Sequence, residues 1–295
     1  MQRYCLIILS CLFCTLFGQR SFAFEPCDTL SPDETVTTVR PVLASYTLGV
    51  GTLHLADTYL TPLKYGGSWN LSLRYERMQA MKFSPERWVM QLQGQLDGGR
   101  ALNPSRMAEM WNMQFDLDWA MLRHFRIGSQ WQVVVGGQTG VEVGALYLAR
   151  NGNNPVAAKA AWTVSATAAA VYNRHIGKLP ITLRYQAAMP LTGVFFSPDY
   201  GELYYEIYLG NRSGLVHGAW PGNYFKLDNN LTADLHFGAT TLRVGYQCDV
   251  FSSKVSDIVS RRTTHMFVIG VVSEWLSLDF SRHYTPKAKV ISAMY

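Results

Sequence analysis

Apolar and polar residues alternate with a period of two along most of the chain. In WNMQFDLDWAM (111–121) every odd position is apolar, from Trp111 to Met121, and the even positions are mostly polar. Successive side chains of a β-strand point to opposite faces, whereas a helix would spread these residues around its circumference. The segment is therefore predicted to be a strand with one apolar face and one polar face.

The same alternation recurs from about residue 45 onward and predicts a nearly all-β chain. The further alternating runs are 47–55, 68–78, 88–97, 131–147, 159–173, 181–189, 225–237, 241–250 and 264–275. Turn-forming sequences separate them, among them Gly66-Gly67, Gly98-Gly99 and Gly238-Ala239-Thr240. Longer connections are predicted at 192–222 and 252–263. We predict an antiparallel up-and-down β-barrel of about ten strands, within a range of roughly eight to twelve.

The side of each strand that faces water separates two classes of β-protein. Soluble sandwiches and barrels turn their apolar faces inward, whereas a membrane barrel turns them outward. Trp and Tyr lie near the ends of several runs, as at Trp111, Trp119 and Trp131, where interfacial girdles occur in membrane barrels. The polar faces are poor in lysine, unlike most surfaces that contact water. These features favour a transmembrane barrel; a soluble exported β-protein is the alternative.

The N-terminus has the features of an export signal. Arg3 supplies a positive charge, CLIILSCLFCTLFG (5–18) is apolar, and Ser21-Phe22-Ala23 supplies small residues for cleavage. A lipoprotein signal ending at Cys11 is the alternative. The predicted organisation is a signal peptide over 1–23, a periplasmic tail over 24–44, the barrel over 45–280 with an extracellular loop over 192–222, and a C-terminal segment over 281–295. This organisation predicts that the protein is located in the outer membrane.

Composition and charge narrow the classes of function. The chain is 48% hydrophobic and only 16% charged, whereas soluble domains have about 25% charged residues. Its net charge of +5 is mild, and no basic run predicts nucleic-acid binding. Outside the predicted signal only Cys27 and Cys248 remain, and we expect them to lie too far apart for a disulfide. No sequence motif for a metal or a cofactor is present, so none is expected.

Several stretches of the chain resemble one family of outer-membrane β-barrel proteins from the Bacteroides group, domain of unknown function 3316. They are ADTYLTPLKYGG (56–67), YERMQAMKFSPERWVMQL (75–92), YLARNGNNPVAAKA (147–160), LPITLRYQ (179–186), FFSPDYGELYYEIYLGNRSGLVHGAWPGNYFKLDN (195–229) and KVISAMY (289–295). The resemblance covers most of the chain after the predicted signal. It implies an outer-membrane barrel, and it implies no activity and no functional residue.

Polar faces that point inward would fill the lumen with charges of both signs. The acids assigned inward are Glu76, Asp97, Asp116, Asp118, Glu142, Asp228, Asp234 and Asp249, and the bases are Arg74, Lys159, Arg184, Lys226 and Arg243. A selective pore would show one dominant sign. A barrel of about ten strands has room for little beyond its own side chains. We therefore expect a packed polar network, with a small passive pore as the alternative.

Two neighbouring carboxylates raise a chemical alternative within this network. Asp116 and Asp118 lie two residues apart on one strand face, so their side chains project side by side. Paired carboxylates can perform acid–base catalysis or bind a cation. The expected arrangement is simpler: each pairs with an arginine across the lumen.

The predicted loop 192–222 and the residues next to it contain the remaining candidates. The aromatic residues singled out there are Tyr200, Tyr204, Tyr205, Tyr208 and Trp220. These rings can stack on sugars, cover lipid acyl chains, or fold over the barrel mouth and seal it. The segment 201–210 is predicted to contain a short helix. His217, with Ser213 and Asn223 nearby in sequence, forms a weak triad-like set without distinctive spacing.

A structural or binding role in the outer membrane is the function that these features favour. The expected partners are outer-membrane lipid, an envelope protein, or a glycan or lipid ligand, and nucleic acid is not expected. An outer-membrane enzyme that modifies lipid A or hydrolyses phospholipid acyl chains is the first alternative, and His217 is its candidate catalytic residue. A small passive pore is the second.

Overall fold

The computed structural model describes residues 38–152, 154–199, 204–210, 214–238, 240–275 and 289–294. Its elements are β1 (Thr38–Val39), β2 (Val42–Asp57), β3 (Lys64–Ala80), β4 (Trp88–Leu102), β5 (Glu109–Ile127), β6 (Trp131–Tyr147), β7 (Val156–Ile176), β8 (Leu179–Phe196), α1 (Tyr204–Tyr208), β9 (Val216–Ala219), β10 (Tyr224–Phe237), β11 (Thr240–Val255), β12 (Ile258–Trp275) and β13 (Lys289–Val290). The predicted signal peptide, Cys27, Tyr200 and Ser213 lie outside these residues, as do most of 24–44 and most of 281–295.

Ten of the described strands form a closed antiparallel barrel. Strands β2 to β8 pair in chain order, β10, β11 and β12 continue the sheet, and β12 pairs with β2. The wall closes where β8 pairs with β10, from Ala188↔Asp228 to Ile181↔Leu235. Antiparallel pairing of neighbours around a closed ring confirms the predicted fold class. We call the end where β2 begins and β12 ends the termini end, and the opposite end the loop end.

The alternating stretch 111–121 lies in β5 with its apolar face outward. Trp111, Phe115 and Trp119 are 41%, 45% and 40% exposed, whereas Gln114 and Asp116 on the other face are buried. The prediction that apolar faces point away from the lumen is therefore confirmed. Eight residue steps separate the two tryptophans, or about 27 Å along the strand. Such a spacing suits an apolar band bounded by two aromatic girdles.

The strands extend further than the alternating runs. Those of the barrel have between 14 residues, in β10, and 21 residues, in β7. The predicted turns at Gly66-Gly67 and Gly98-Gly99 are wrong, because these glycines lie inside β3 and β4. A register shift between Gly66 and Asn70 lets the two strands stay paired past them. The first barrel strand also begins earlier than residue 45, at Val42.

Two loop-end connections differ from the predicted ones. Ser256 and Asp257 have φ of 47° and 62° and join β11 to β12 in a two-residue hairpin turn, so the long connection predicted at 252–263 is wrong. The connection after β8 is shorter than predicted, because residues 192–196 still belong to that strand. Part of it returns as β9 and pairs with the end of β8. None of the described helices has the length and apolar character for crossing a membrane.

The lumen is filled in three layers, and β5 shows why. Its inward side chains read Met110 at the loop end, then Asn112, Gln114, Asp116 and Asp118, then Ala120 and Leu122 at the termini end. The inward positions of other strands follow the same order. Two apolar clusters form the loop-end layer, one containing Leu53 and Met110 and the other Phe195 and Tyr224. A further apolar cluster forms the termini-end layer, and the charged side chains lie between the two.

Candidate functional site

Glu76 is the centre of one group of charged side chains in the lumen. Its Oε1 lies 2.7 Å from Nη2 of Arg184, and its Oε2 lies 2.5 Å from Nη1 of Arg243. Arg243 also donates two hydrogen bonds to Asp234, of 2.7 and 2.8 Å. All four side chains are at most 4% exposed. Among the described residues, two carboxylates and two guanidinium groups balance in this group, which we call the Glu76 cluster.

A second group of charged side chains lies nearer the loop end, around Lys226. Its Nζ is 2.7 Å from Oδ1 of Asp116, 3.0 Å from Oε2 of Glu142 and 3.7 Å from Oδ2 of Asp228. Asp116 thus pairs with a lysine, rather than with the arginine expected from the sequence. Asp118 hydrogen-bonds to Gln138, and no ion pair joins it to another described residue.

Negative charge is in excess in this second region, the Lys226 cluster. Its carboxylates are Asp97, Asp116, Asp118, Glu142, Asp228 and Asp249, and its bases are Arg74, Lys226 and Arg262. A cavity of about 20 Å³ lies among them, about the space of one water molecule. Among the described side chains, Oδ1 of Asp97 and Oδ1 of Asp249 are buried without a hydrogen-bond partner. No group of three potential ligands in the described chain is arranged to hold a metal ion.

Two charged residues of the lumen were not predicted from the sequence. Arg262 is 9% exposed and its Nη2 lies 4.0 Å from Oε1 of Glu142. It was missed because 252–263 was predicted to be a loop, although Arg262 has the same parity as the inward Thr264. Asp57 is fully buried at the end of β2, where its Oδ2 lies 2.6 Å from Nζ of Lys159. It was missed because the alternation in the sequence of this strand did not show which of its side chains face the lumen.

His217 and Asn223 lie in different hydrogen-bond environments. Nε2 of His217 is 3.1 Å from the carbonyl oxygen of Ser197. The Asn223 side chain donates to the carbonyl of Gly218 at 2.8 Å and accepts from the backbone N–H of Trp220 at 2.9 Å. Asn223 therefore holds the turn that leads into β10. The described interactions do not join His217 to Asn223, and Ser213 is outside the described residues.

The aromatic residues of the loop have two different roles in the structure. Tyr204 packs edge-on against Tyr59, with ring centroids 5.8 Å apart, and its hydroxyl accepts a 2.6 Å hydrogen bond from the N–H of Ala158. Burial raises the pKa of Tyr204 to about 12, although the hydrogen bond from Ala158 acts in the opposite direction. Tyr205 and Tyr208 are 67% and 82% exposed. Tyr204 thus anchors α1 to the barrel mouth and leaves its neighbours in solvent.

Comparison with known proteins identifies the family to which the chain belongs. Residues 4–282 match the model of the family described as Protein of unknown function (DUF3316). The chain belongs to this family. No curated protein matches the chain.

Solved structures resemble this DUF3316 chain in fold alone. The transport unit of the autotransporter AIDA-I from Escherichia coli is 7% identical, with 90% of this chain and 94% of that chain covered and a TM-score of 0.43. The outer membrane protease OmpT from Escherichia coli is also 7% identical, with 83% and 100% covered and a TM-score of 0.42. The translocator domain of the autotransporter NalP from Neisseria meningitidis is 12% identical, with 80% and 88% covered and a TM-score of 0.36.

The C-terminal segment caps the lumen of this DUF3316 barrel at the termini end. β13 pairs in parallel with β1, and the N–H of Ile291 donates to the carbonyl of Val39 at 2.9 Å. Beyond it, Ala293 and Met294 are 1% and 4% exposed and pack into the apolar cluster formed by inward side chains of the barrel. A cavity of about 290 Å³ remains beside this cap. The charged layer is therefore covered at the termini end by part of the same chain.

Proposed function

We propose that this protein is an outer-membrane barrel with a closed lumen that binds a ligand at its loop end. The filled lumen is the observation that carries the proposal. Apolar clusters lie at both ends of the charged layer, and the cavity inside that layer holds about one water molecule. A solute would have to displace buried ion pairs to cross. These features favour binding over transport.

The outer-membrane location rests on the surface of the wall and on the N-terminal sequence. Apolar side chains cover the outward faces between two levels of tryptophan on β5. A sheet can cross hydrocarbon only as a closed ring, because an open edge would leave backbone groups without partners. Export by the predicted signal peptide would deliver such a barrel to the outer membrane. In the proposed orientation the termini end of the barrel lies on the periplasmic side and the loop end faces the cell exterior.

Exposed aromatic rings at the loop end support a ligand with sugar rings. Tyr208 and Trp220 are 82% and 60% exposed on the connection between β8 and β10. Each combines an apolar ring with a polar group, which suits stacking on a sugar with a hydrogen bond at its rim. Tyr204 holds α1 in place before binding. Binding a ligand should therefore cost less conformational entropy than it would on a mobile loop. We therefore propose an envelope or surface glycan as the ligand class.

Two measurements test the closed lumen and the binding surface separately. In planar bilayers the purified protein should show no unitary conductance, and a stable conductance would contradict the closed lumen. Binding of envelope polysaccharides should weaken about tenfold in a Tyr208→Ala, Trp220→Ala double variant, or about 1.4 kcal/mol.

The matched control for binding is Phe83→Ala, because Phe83 is a 67% exposed ring in a connection at the termini end. Equal glycan affinity in the wild type and the double variant would overturn the proposed ligand surface.

A further inference from the structure

The outer wall of the barrel has an apolar groove that the proposed glycan-binding function does not use. It has a volume of about 560 Å³ and spans β2 to β6 on the lipid-facing side. Its apolar walls include Leu48, Leu71, Leu73, Leu96 and Met113, which are between 42% and 64% exposed. Trp69, Trp111 and Tyr147 border it on the side of the loop end.

The groove exists because small residues interrupt one outward row. Cross-strand pairing places Leu71, Gly98, Met113 and Ala145 next to one another on four successive strands. A Cβ atom added at Gly98 would meet nothing within 4 Å, so this position opens onto free space. The next row toward the termini end is bulky, with Leu73, Leu96, Phe115 and Val143. The small side chains in this row therefore form the groove, and the groove has room for a hydrocarbon chain.

A second hollow lies on the same outer face, closer to the loop end. It has about 270 Å³ and is lined by His54, Lys64, Tyr65, Gly66, Gly67, Leu102, Asn103, Pro104 and Arg106. Lys64 and Arg106 are exposed, and neither forms an ion pair with another described residue. No carboxylate of the described residues lines the hollow, so the charge of these lining side chains is positive. An anionic group bound in the hollow would therefore contact both Lys64 and Arg106.

Groove and hollow are aligned along one strand at a distance that suits a lipid. Gly98 opens the groove and Leu102 lines the hollow, four residues further along β4, or about 13 Å. Between them the guanidinium of Arg100 lies 6.0 Å from the ring of Trp111. Arg100 also pairs with Glu109 at 3.2 Å, so its charge is already compensated. The order from groove to hollow is apolar, aromatic and cationic, as at a membrane interface.

We propose that this surface binds one molecule of a phosphorylated glycolipid of the lipid A type. One acyl chain fills the groove at Gly98, and a phosphate contacts Lys64 and Arg106. Because the proposed function places the loop end outside the cell, lipopolysaccharide is the lipid available at this level, and the inference rests on that orientation. The site is separate from the exposed rings of the loop, so a glycan ligand and this lipid can bind together.

The test counts bound lipid on the full-length protein in detergent by native mass spectrometry. Lipid A and lipid A without its phosphates are titrated separately. The wild type should bind one lipid A at least about tenfold more tightly than the dephosphorylated form. A Lys64→Ala, Arg106→Ala double variant should lose this preference. Gly98→Leu should weaken both lipids, because its side chain would occupy the groove.

Matched controls separate the proposed site from general effects. Like Gly98, Gly137 is a glycine at which an added Cβ atom would meet nothing within 4 Å, and it lies on β6 outside the groove. Gly137→Leu should therefore leave lipid binding unchanged. An Arg174→Ala, Lys178→Ala double variant removes two exposed cations at the termini end and should retain the preference for phosphate. Heat-modifiable gel mobility shows that each variant is folded.

Three results would overturn the inference. They are an absent phosphate preference in the wild type, equal losses in the site and control variants, and tighter binding of phosphatidylglycerol than of lipid A. Tyr208→Ala should leave lipid A binding intact. Recovery of the protein in the soluble periplasmic fraction would instead contradict the proposed function itself.

Discussion

The two charged clusters of the lumen are built differently although they lie in one closed space. In the Glu76 cluster two carboxylates meet two arginines, and every charge has a partner within 2.8 Å. In the Lys226 cluster six carboxylates meet three bases, and two of the carboxylates have an oxygen without a partner. The first cluster joins strands from across the barrel in a fixed geometry. The second holds an excess of negative charge close to the loop end.

The difference matters because the two kinds of charge respond differently to the loss of a partner. An arginine stays protonated in proteins, so a buried guanidinium that loses its carboxylate remains charged. A carboxylate can bind a proton and become neutral. Damage to the Glu76 cluster should therefore be costly at every accessible pH, whereas damage to the Lys226 cluster should depend on pH.

The largest expected effect comes from Glu76→Gln. This change leaves Arg184 and Arg243 buried without the carboxylate that lies between them. Removing one partner from a buried ion pair costs about 3 to 5 kcal/mol, and we expect a loss of folding free energy in that range. Urea unfolding in detergent micelles, followed by tryptophan fluorescence, measures it.

Ser45→Ala is the control for Glu76→Gln, because it removes a neutral hydroxyl that donates to the same carboxylate and accepts from Arg243, and it leaves all four charges in place. It should cost about 1 kcal/mol. A Glu76→Gln protein as stable as the wild type would show that the four paired side chains do not hold the barrel together.

A smaller effect, with a different pH dependence, is expected for Lys226→Met. The change leaves Asp116 and Glu142 without their nearest cation, and we expect a loss of about 2 kcal/mol near pH 7. As the pH falls to about 5, the crowded carboxylates of the folded variant should take up more protons than those of the unfolded chain. Stability then rises as pH falls, so the deficit relative to the wild type should shrink.

The same unfolding measurement at the two pH values checks this contrast. Glu76→Gln provides the comparison, because the side chain that loses its carboxylate there is Arg184, which stays charged at both pH values, so the deficit should stay constant. A Lys226→Met deficit that is equal at both pH values would remove the proposed distinction between the clusters.

The sequence predicts the local features of these clusters but not the contacts between residues that are far apart along the chain. The period-two pattern decides which face of a strand points inward, and this local rule alone assigned Asp116 and Glu142 to the correct side. Which charges then meet depends on the register around the whole ring. Glu76 contacts Arg184 and Arg243 from β8 and β11, and no local pattern encodes those distances.

The ends of the strands could not be predicted from the sequence for a related reason. Pairing continues past the apolar band, where both faces are polar or mixed and the alternation fades. The turn between β11 and β12 has Ser256 and Asp257 in the left-handed region without glycine, so it gave no turn signal, and Arg262 was assigned to a loop. The C-terminal cap is apolar and short, and nothing in its sequence showed that it packs inside the barrel.

The smallest effect should come from Asp118→Asn, and it compares the two clusters with one chemical change. Asp118 lies in the acid-rich cluster, and none of the described residues forms an ion pair with it. Loss of its charge gives up attraction to Lys226 but relieves repulsion by Asp228 and Asp116, and the amide can still hydrogen-bond to Gln138. Because these effects oppose one another, unfolding should show a change within about 0.5 kcal/mol. The same change at Asp234 breaks a bidentate pair with Arg243 and should cost about 2 kcal/mol. Equal losses at the two positions would mean that the excess negative charge around Lys226 is compensated in the folded protein after all.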